Sequence, residues 1–234
     1  MKALLYKEFT LAMHPICYIF TVLFPFMILI PSYPISIGFI YVLTCYPILF
    51  LGANKGQQSN DLLFSTLLPV RKKDIVLARM ITVISIQLIF IAITCILFPI
   101  AKITHQAPIA NSGDMPQAVS LSGVGIGLNG FVSNLAIVLI GYAIVDLIYF
   151  AIYYKKGKSI VMSTLLTILG FVLYIGIFTI IIPYIPGCEG YKTFLENPKI
   201  WIQFILLLAS VLIYVAIHIV VYKVSSKELE KVDF

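Results

Sequence analysis

The sequence predicts an all-α integral membrane protein with six transmembrane helices and one further helix on the membrane surface at the N-terminus. Of the 234 residues, 61% are hydrophobic and 11% are charged, and the mean hydropathy of +1.04 exceeds that of ordinary soluble domains. The hydrophobic residues form runs almost free of charge, at residues 15–30, 35–51, 75–101, 131–154, 160–182 and 200–222. Because hydrocarbon offers the backbone no hydrogen-bonding partner, such runs cross a bilayer as helices.

The runs can be assigned in chain order. About 20 helical residues span a bilayer core, a length that the last four runs reach. The first two are shorter, and only residues 31–34 separate them, so we expect a tight outer hairpin of two spans. Residues 2–13 precede Pro15 and can form an amphipathic helix with Leu5 and Phe9 on its apolar face. This helix either lies on the cytoplasmic membrane surface or extends the first span. Residues 1–234 then form a single membrane domain.

The placement of Lys and Arg predicts the orientation. With six spans both termini lie on one side, and the loops on that side carry thirteen of the sixteen Lys and Arg residues. The other side holds only Lys102, Lys192 and Lys199. Positive loops stay in the cytoplasm, so both termini are expected there. The net charge of +6 indicates attraction to anionic membrane lipid, whereas basic residues scattered over four loops do not indicate nucleic-acid binding.

The sequence offers no catalytic residues, metal ligands or nucleotide site. The run Gly157-Lys158-Ser159 spells the end of a phosphate-binding loop, but Ile152 stands where that motif needs glycine. The glycines 125, 127 and 130 spell a dinucleotide fingerprint, yet no strand precedes them. The three histidines (His14, His105 and His218) lack the spacing of metal ligands. We therefore expect a chain that is not an enzyme and binds no cofactor.

A polar stripe in the fourth span is the strongest candidate for a substrate pathway. Asp146 is the one acidic residue deep in a span, nine residues before Lys155, or about 14 Å along a helix. Tyr142, Asp146, Tyr149 and Tyr153 follow helical spacing and share one face. A carboxylate at this depth costs about 3 kcal/mol on insertion scales, so it faces protein or water. The stripe either lines a pathway or makes a buried contact that fixes helix packing. Because proton-coupled carriers have relays of Asp, Glu and His, an isolated Asp146 argues against that class.

The cytoplasmic segment 54–74 is a candidate docking site for a soluble partner. Leu62, Leu63, Phe64, Leu67 and Leu68 cluster within two helical turns after Asp61, and Pro69 ends that helix. Arg71 and the two lysines after it hold the next turn at the level of the lipid headgroups. The short helix either lies on the bilayer surface or inserts into a groove of a partner protein.

Two stretches of the chain resemble a known family. The run DLLFSTLLPVRKKDIVLAR at 61–79 is similar to the motif between spans two and three of small type-2 ABC exporter permeases. The run YYKKGK at 153–158 is similar to the motif that ends their fourth span. The chain length, the six-span plan and the opening Lys-Glu-Phe helix agree with that family. Within it, the chain resembles the permease subunits of phenol-soluble modulin exporters.

The resemblance implies a non-catalytic permease of the bacterial cytoplasmic membrane. Such permeases pair with a second copy or a paralogue and bind a separate ABC ATPase, which holds the ATP and Mg²⁺. In this family the cytoplasmic segment between spans two and three acts as the helix that couples the permease to the ATPase. The resemblance carries this role over to Asp61, Leu62, Leu63, Phe64, Leu67, Leu68, Pro69 and Arg71. The implied cargo is an amphipathic peptide or an antimicrobial or cytolytic peptide. The alternatives are a stand-alone secondary transporter or channel, and a membrane anchor or assembly factor without transport.

Overall fold

A computed structural model describes residues 2–13, 15–29, 70–106, 130–155, 160–177, 185–186 and 199–231. These residues are almost entirely helical, which confirms the all-α prediction. Six α-helices follow one another: α1 (Lys2–Lys7), α2 (Pro15–Phe26), α3 (Lys72–Gln106), α4 (Phe131–Lys155), α5 (Ile160–Gly176) and α6 (Ile200–Glu230). A π-helical turn, Glu8–Ala12, continues α1, and a 3₁₀ turn, Met27–Leu29, continues α2.

Three of these helices are long and apolar enough to cross a membrane: α3, α4 and α6. The bent pair formed by the N-terminal helix and α2 would be a fourth crossing, and α5 contains a shorter apolar helix, Met162–Tyr174. The predicted span at 35–51 and residues 54–69 of the predicted coupling segment lie outside the described residues. The count of six spans therefore stays a prediction.

Two helices extend beyond the predicted hydrophobic runs. Helix α3 begins at Lys72, with Asp74 in its first turn, where a carboxylate stabilises the positive end of the helix dipole. Helix α6 continues past residue 222 to Glu230, because Lys and Glu are good helix formers that need no hydrocarbon around them. A hydropathy run measures only the part of a helix that suits lipid, so it underestimates such ends.

The N-terminal segment bends sharply into α2. The first helix and α2 meet at 76°, and the bend follows the π-helical turn, which closes with a hydrogen bond from the Met13 N–H to the Glu8 carbonyl at 3.1 Å. Pro15 begins α2, a position where its fixed φ and missing N–H are harmless. The hydroxyl of Tyr18 donates to the Phe9 carbonyl across the bend. The position of residues 2–13 on the membrane surface stays a prediction.

Helix α4 lies at the centre of the described core. It is apolar on all sides and buries residues around its whole circumference, as expected for a helix surrounded by others. It packs closely on α5 and α6, while α3 packs on α1, α2 and α6. The backbones of α3 and α4 approach each other less closely, so long side chains fill the space between them.

The contacts fix the helix directions. At one end, Lys73 of α3 pairs with Glu230 of α6 at 3.2 Å. At the other end, Ile28 packs with Leu97, Ala101 and Phe131. Helices α2 and α3 therefore run parallel to each other, and α4 and α6 run opposite to them.

Candidate functional site

The predicted stripe on α4 faces the protein interior. Tyr142 and Asp146 are fully buried, and Tyr149 and Tyr153 are 1% and 5% exposed. The rings of Tyr149 and Tyr153 stack with their centroids 5.7 Å apart and their planes 11° apart. The stripe faces α3 and α6, because its polar groups bond to side chains of those two helices.

Asp146 is the centre of a hydrogen-bonded group that we call the midspan network: Gln87 of α3, Asp146 of α4, and Tyr214 and His218 of α6. The Gln87 amide donates to both Asp146 oxygens, at 3.1 Å for Oδ1 and 3.0 Å for Oδ2. The His218 ring nitrogen Nε2 lies 2.9 Å from Asp146 Oδ2. The Tyr214 hydroxyl donates to Gln87 Oε1 at 2.6 Å. Three helices are thereby joined at one level.

The midspan network corrects the sequence interpretation of Asp146 as an isolated ionisable residue. His218 lies in the run 200–222 and is its direct partner, so the argument from isolation against proton chemistry is wrong. The miss arose because hydropathy does not reveal which residue on one helix faces which residue on another. A signal was present on α6, where buried Gln203, Ser210, Tyr214, His218 and Ser225 repeat every four or seven residues along one face.

A second polar group, the end cluster, joins Glu8, Arg79 and Tyr153. The Arg79 guanidinium donates from Nε to Glu8 Oε2 at 3.0 Å and from Nη2 to Oε1 at 3.3 Å. Its third nitrogen, Nη1, donates to the Tyr153 hydroxyl at 2.9 Å. The side chains of Glu8 and Arg79 are each 3% exposed. This two-bonded geometry is the strong form of an arginine–carboxylate pair.

The end cluster lies about two helical turns away from the midspan network along α3 and α4. Arg79 precedes Gln87 by eight residues on α3, and Tyr153 follows Asp146 by seven on α4, which is about 10–12 Å of helix. The Tyr149–Tyr153 stack fills the interval. The bonds Gln87–Asp146 and Arg79–Tyr153 therefore bridge α3 and α4 twice, where their backbones stay apart.

A family comparison identifies what this helical bundle belongs to. Residues 3–227 match the family described as ABC-2 family transporter protein. The chain belongs to the ABC-2 transporter family. It is thus a multi-pass membrane permease subunit of an ABC transporter, and membership implies an ABC ATPase as its partner. No curated protein and no solved structure matches the chain.

The ABC-2 assignment agrees with the resemblance of 61–79 and 153–158 to ABC exporter permeases. The predicted coupling residues Asp61, Leu62, Leu63, Phe64, Leu67, Leu68 and Pro69 lie outside the described residues. Arg71 is described and exposed, and its carbonyl accepts from the Asp74 N–H at 2.9 Å as α3 begins. Arg79, the last residue of the motif, is buried in the end cluster. The motif 61–79 thus contains both an exposed residue just before α3, Arg71, and a buried residue that bonds the opening segment, Arg79.

The buried polar groups of this ABC-2 chain can form ion pairs and share protons. Among the described residues, no group of three His, Cys, Asp or Glu side chains is arranged to hold a metal ion. Asp146 and His218 can share a proton, and Glu8 and Arg79 form an ion pair. Such groups position helices and respond to charge.

Proposed function

We propose that this chain is the permease subunit of an ATP-driven exporter of amphipathic peptides in a bacterial cytoplasmic membrane. Two permease subunits, as a homodimer or with a paralogue, would form the pathway in contact with membrane lipid. ATP and Mg²⁺ would bind the partner ATPase and not this chain. The observation that carries the transport role is the convergence of Gln87, Asp146 and His218 from three helices inside an apolar bundle of the ABC-2 family.

The helix directions support six spans with both termini in the cytoplasm. Because α2 and α3 run parallel, the chain between residues 29 and 72 must return to the end where α2 began. The hydrophobic run 35–51 lies in this interval. Helices α3 to α6 alternate in direction, as the Tyr174 bond from α5 to the Ile137 carbonyl of α4 illustrates. The side that holds Lys73 and Glu230 is the cytoplasmic side in this arrangement.

The contacts of Arg79 support a route from the ATPase to the pathway. In the proposal, residues 61–69 bind the ATPase, with Arg71 beside them. Movement of that segment displaces the start of α3, on which Arg79 lies in the second turn. Arg79 then moves Glu8 on the opening segment and Tyr153 on the pathway stripe, since it donates hydrogen bonds to both.

The chemistry of the stripe supports a cargo that is part apolar and part polar. Tyr142, Tyr149 and Tyr153 are buried in this structure on either side of the polar midspan network, and a helix movement that exposed them would present broad apolar ring faces. Such surfaces suit the two faces of an amphipathic peptide better than a small inorganic ion. The resemblance to phenol-soluble modulin exporters favours the same cargo class.

The coupling proposal is tested by replacing Leu63 and Phe64 together with Asp. Two charges on the apolar face should abolish co-purification of the ABC ATPase, because a helix-in-groove contact depends on apolar anchors. The matched control replaces Leu121 and Val124 with Asp and should leave the ATPase bound, because both residues lie in the loop 102–130, which the predicted topology places on the outer side. Retention of the ATPase by the Leu63/Phe64 variant would contradict the assignment of this segment.

The transport proposal is tested in vesicles that contain the permease and its ATPase. A fluorescent amphipathic peptide should be moved when ATP is supplied, and a scrambled peptide without an apolar face should not. Movement of the peptide by the permease alone under a proton gradient would favour the secondary transporter. Ion conductance without ATP would favour the channel. An ATPase bound stably without any cargo movement would favour an assembly factor.

A further inference from the structure

The geometry around His218 determines that one of its two ring nitrogens, Nδ1, carries a hydrogen. Its Nδ1 lies 2.8 Å from the Tyr214 backbone carbonyl, and a carbonyl oxygen can only accept. Nδ1 therefore carries a hydrogen and donates it within α6. In a neutral imidazole, the other nitrogen is then an acceptor.

The contact between His218 and Asp146 contains one further proton. Nε2 and Asp146 Oδ2 are 2.9 Å apart, and a hydrogen bond at that distance needs one hydrogen between the two atoms. Two arrangements satisfy it. Either an imidazolium donates to a carboxylate, or a protonated carboxyl donates to a neutral imidazole. In both arrangements the pair as a whole is uncharged.

Removing this proton breaks the contact. An ionised Asp146 beside a neutral His218 would bring two lone pairs together at Nε2 and Oδ2. If the hydrogen moved from Nδ1 to Nε2, lone pairs would instead meet at the Tyr214 carbonyl. The site would also carry one negative charge, although Asp146 is fully buried and His218 is only 7% exposed. Burial of an uncompensated charge is strongly unfavourable.

A second proton is equally unfavourable, because it would leave a net positive charge in the same place. Among the described residues, few groups next to the pair can balance either charge. Next to the pair, α3 contributes the neutral Gln87 and α6 contributes the Tyr214 hydroxyl. The other described titratable side chains on these helices are Lys72, Lys73, Asp74, Arg79, Cys95 and Lys102 on α3, Tyr142, Tyr149, Tyr153, Tyr154 and Lys155 on α4, Tyr174 on α5, and Tyr222, Lys223, Lys227, Glu228 and Glu230 on α6. Arg79 is already paired with Glu8.

We propose that Asp146 and His218 form an intramembrane binding site for one proton, and that this proton holds α6 against α4. The ligand is the proton itself. The site stands on local geometry and requires no assumption about cargo. A role in transport, in which α6 separates from α4 to expose the tyrosine stripe, rests on the proposed function.

The test compares the pH dependence of stability in the full chain and in Asp146→Asn. Asparagine can donate from Nδ2 to a neutral His218 Nε2 and accept from Gln87 at Oδ1, so it keeps the His218 contact and one of the two Gln87 bonds while the shared proton is lost. A free histidine has a pKa of about 6.5. Above that pH the unfolded wild-type chain loses a proton that the folded chain keeps, so wild-type stability falls as pH rises.

The two chains should therefore give opposite profiles when they are unfolded by SDS in mixed micelles. Between about pH 7 and 9, the wild-type unfolding constant should rise about tenfold per pH unit relative to Asp146→Asn. Below about pH 6.5, the stability of Asp146→Asn should fall with acid, because only its unfolded state gains a proton at His218. The control Asp74→Asn, the same substitution at the start of α3, should follow the wild type. Parallel profiles for wild type and Asp146→Asn would overturn the proposal.

A spectroscopic measurement on the wild type gives a second, independent answer. Nitrogen-15 NMR reports the protonation of His218, and infrared difference spectra against Asp146→Asn report that of Asp146. At about pH 8, where free histidine is neutral, the proposal requires either a cationic His218 or a protonated Asp146, but not both. A neutral His218 beside an ionised Asp146, or protonation of both, would overturn it. Neither measurement needs the ATPase or a cargo, so failure here is separate from failure of the exporter assignment.

Discussion

The end cluster and the midspan network both link α3 to α4, but each contains a different kind of ionisable pair. The end cluster has a guanidinium, which stays charged at any accessible pH, and a carboxylate held by two hydrogen bonds. The midspan network has an imidazole and a carboxylate that are jointly neutral with one shared proton. The first contact has a cation whose charge does not change with pH, whereas the second depends on proton occupancy.

The difference follows from where each group lies. The end cluster is in the second turn of α3 and close to the end of α4, so an ion pair there is within reach of the polar membrane surface. The midspan network lies about 10 Å further along, where a net charge costs more. A single bound proton removes that charge. The comparison indicates a contact near the start of α3 whose guanidinium stays charged, and a proton-dependent contact further along the helix.

The largest expected effect comes from Arg79→Met in the end cluster. It leaves Glu8 buried without its guanidinium, and breaking a buried ion pair in this way costs about 3–5 kcal/mol. We expect the opening segment to detach from α3. A cysteine introduced at Leu4, which is 4% exposed, should become reactive to a soluble maleimide in the variant and stay protected otherwise.

Two further variants sharpen this result. Lys73→Met breaks the half-exposed pair with Glu230 and should change stability by only about 0–1 kcal/mol, with the Leu4 position still protected. The double variant Glu8→Leu with Arg79→Met removes both charges and should recover most of the lost stability. A double variant as unstable as Arg79→Met alone would mean that the loss does not come from the unpaired carboxylate.

The second effect in size is expected from Asp146→Ala in the midspan network. The substitution leaves the Gln87 amide and His218 without their carboxylate, and an unsatisfied buried group costs about 1–3 kcal/mol. Asp146→Asn keeps the His218 bond and one of the two Gln87 bonds, so near neutral pH its stability should change by less than about 1 kcal/mol. SDS unfolding of both variants measures the difference.

A transport assay distinguishes a structural role of Asp146 from a role in transport. Asp146→Asn should insert into the membrane normally yet impair ATP-driven peptide transport, because it lacks the shared proton. Transport at the wild-type rate in Asp146→Asn would show that the pair only packs the helices. That result would contradict the pathway interpretation and would not affect the ABC-2 assignment.

The sequence predicted the positions of the helices better than their contacts. Hydropathy located α3, α4 and α6, because lipid selects apolar side chains all along a span. The cost of a buried carboxylate singled out Asp146. Its partners Gln87 and His218 lie 59 and 72 residues away, on helices whose rotation depends on packing and not on local pattern. The partner of Arg79 was missed for the same reason, since Glu8 is 71 residues away.

The smallest effect on stability is expected from two matched tyrosine substitutions, one in the end cluster and one in the midspan network. Tyr153→Phe removes the bond from Arg79 Nη1, and Tyr214→Phe removes the bond to Gln87 Oε1. Hydrogen bonds within membrane proteins average about 0.6 kcal/mol and reach at most about 1.7. Tyr153→Phe should lie near the average, because Arg79 still bonds Glu8 through two other nitrogens.

Tyr214→Phe should be the more costly of the two, because it leaves the buried Gln87 oxygen without the hydroxyl that orients the amide towards Asp146. It should also weaken the pH dependence of stability, since a turned Gln87 no longer supports the carboxylate. Tyr153→Phe should leave that dependence unchanged. Equal pH profiles for the two variants would indicate that Tyr214 does not position the proton site, which would then consist of Asp146 and His218 alone.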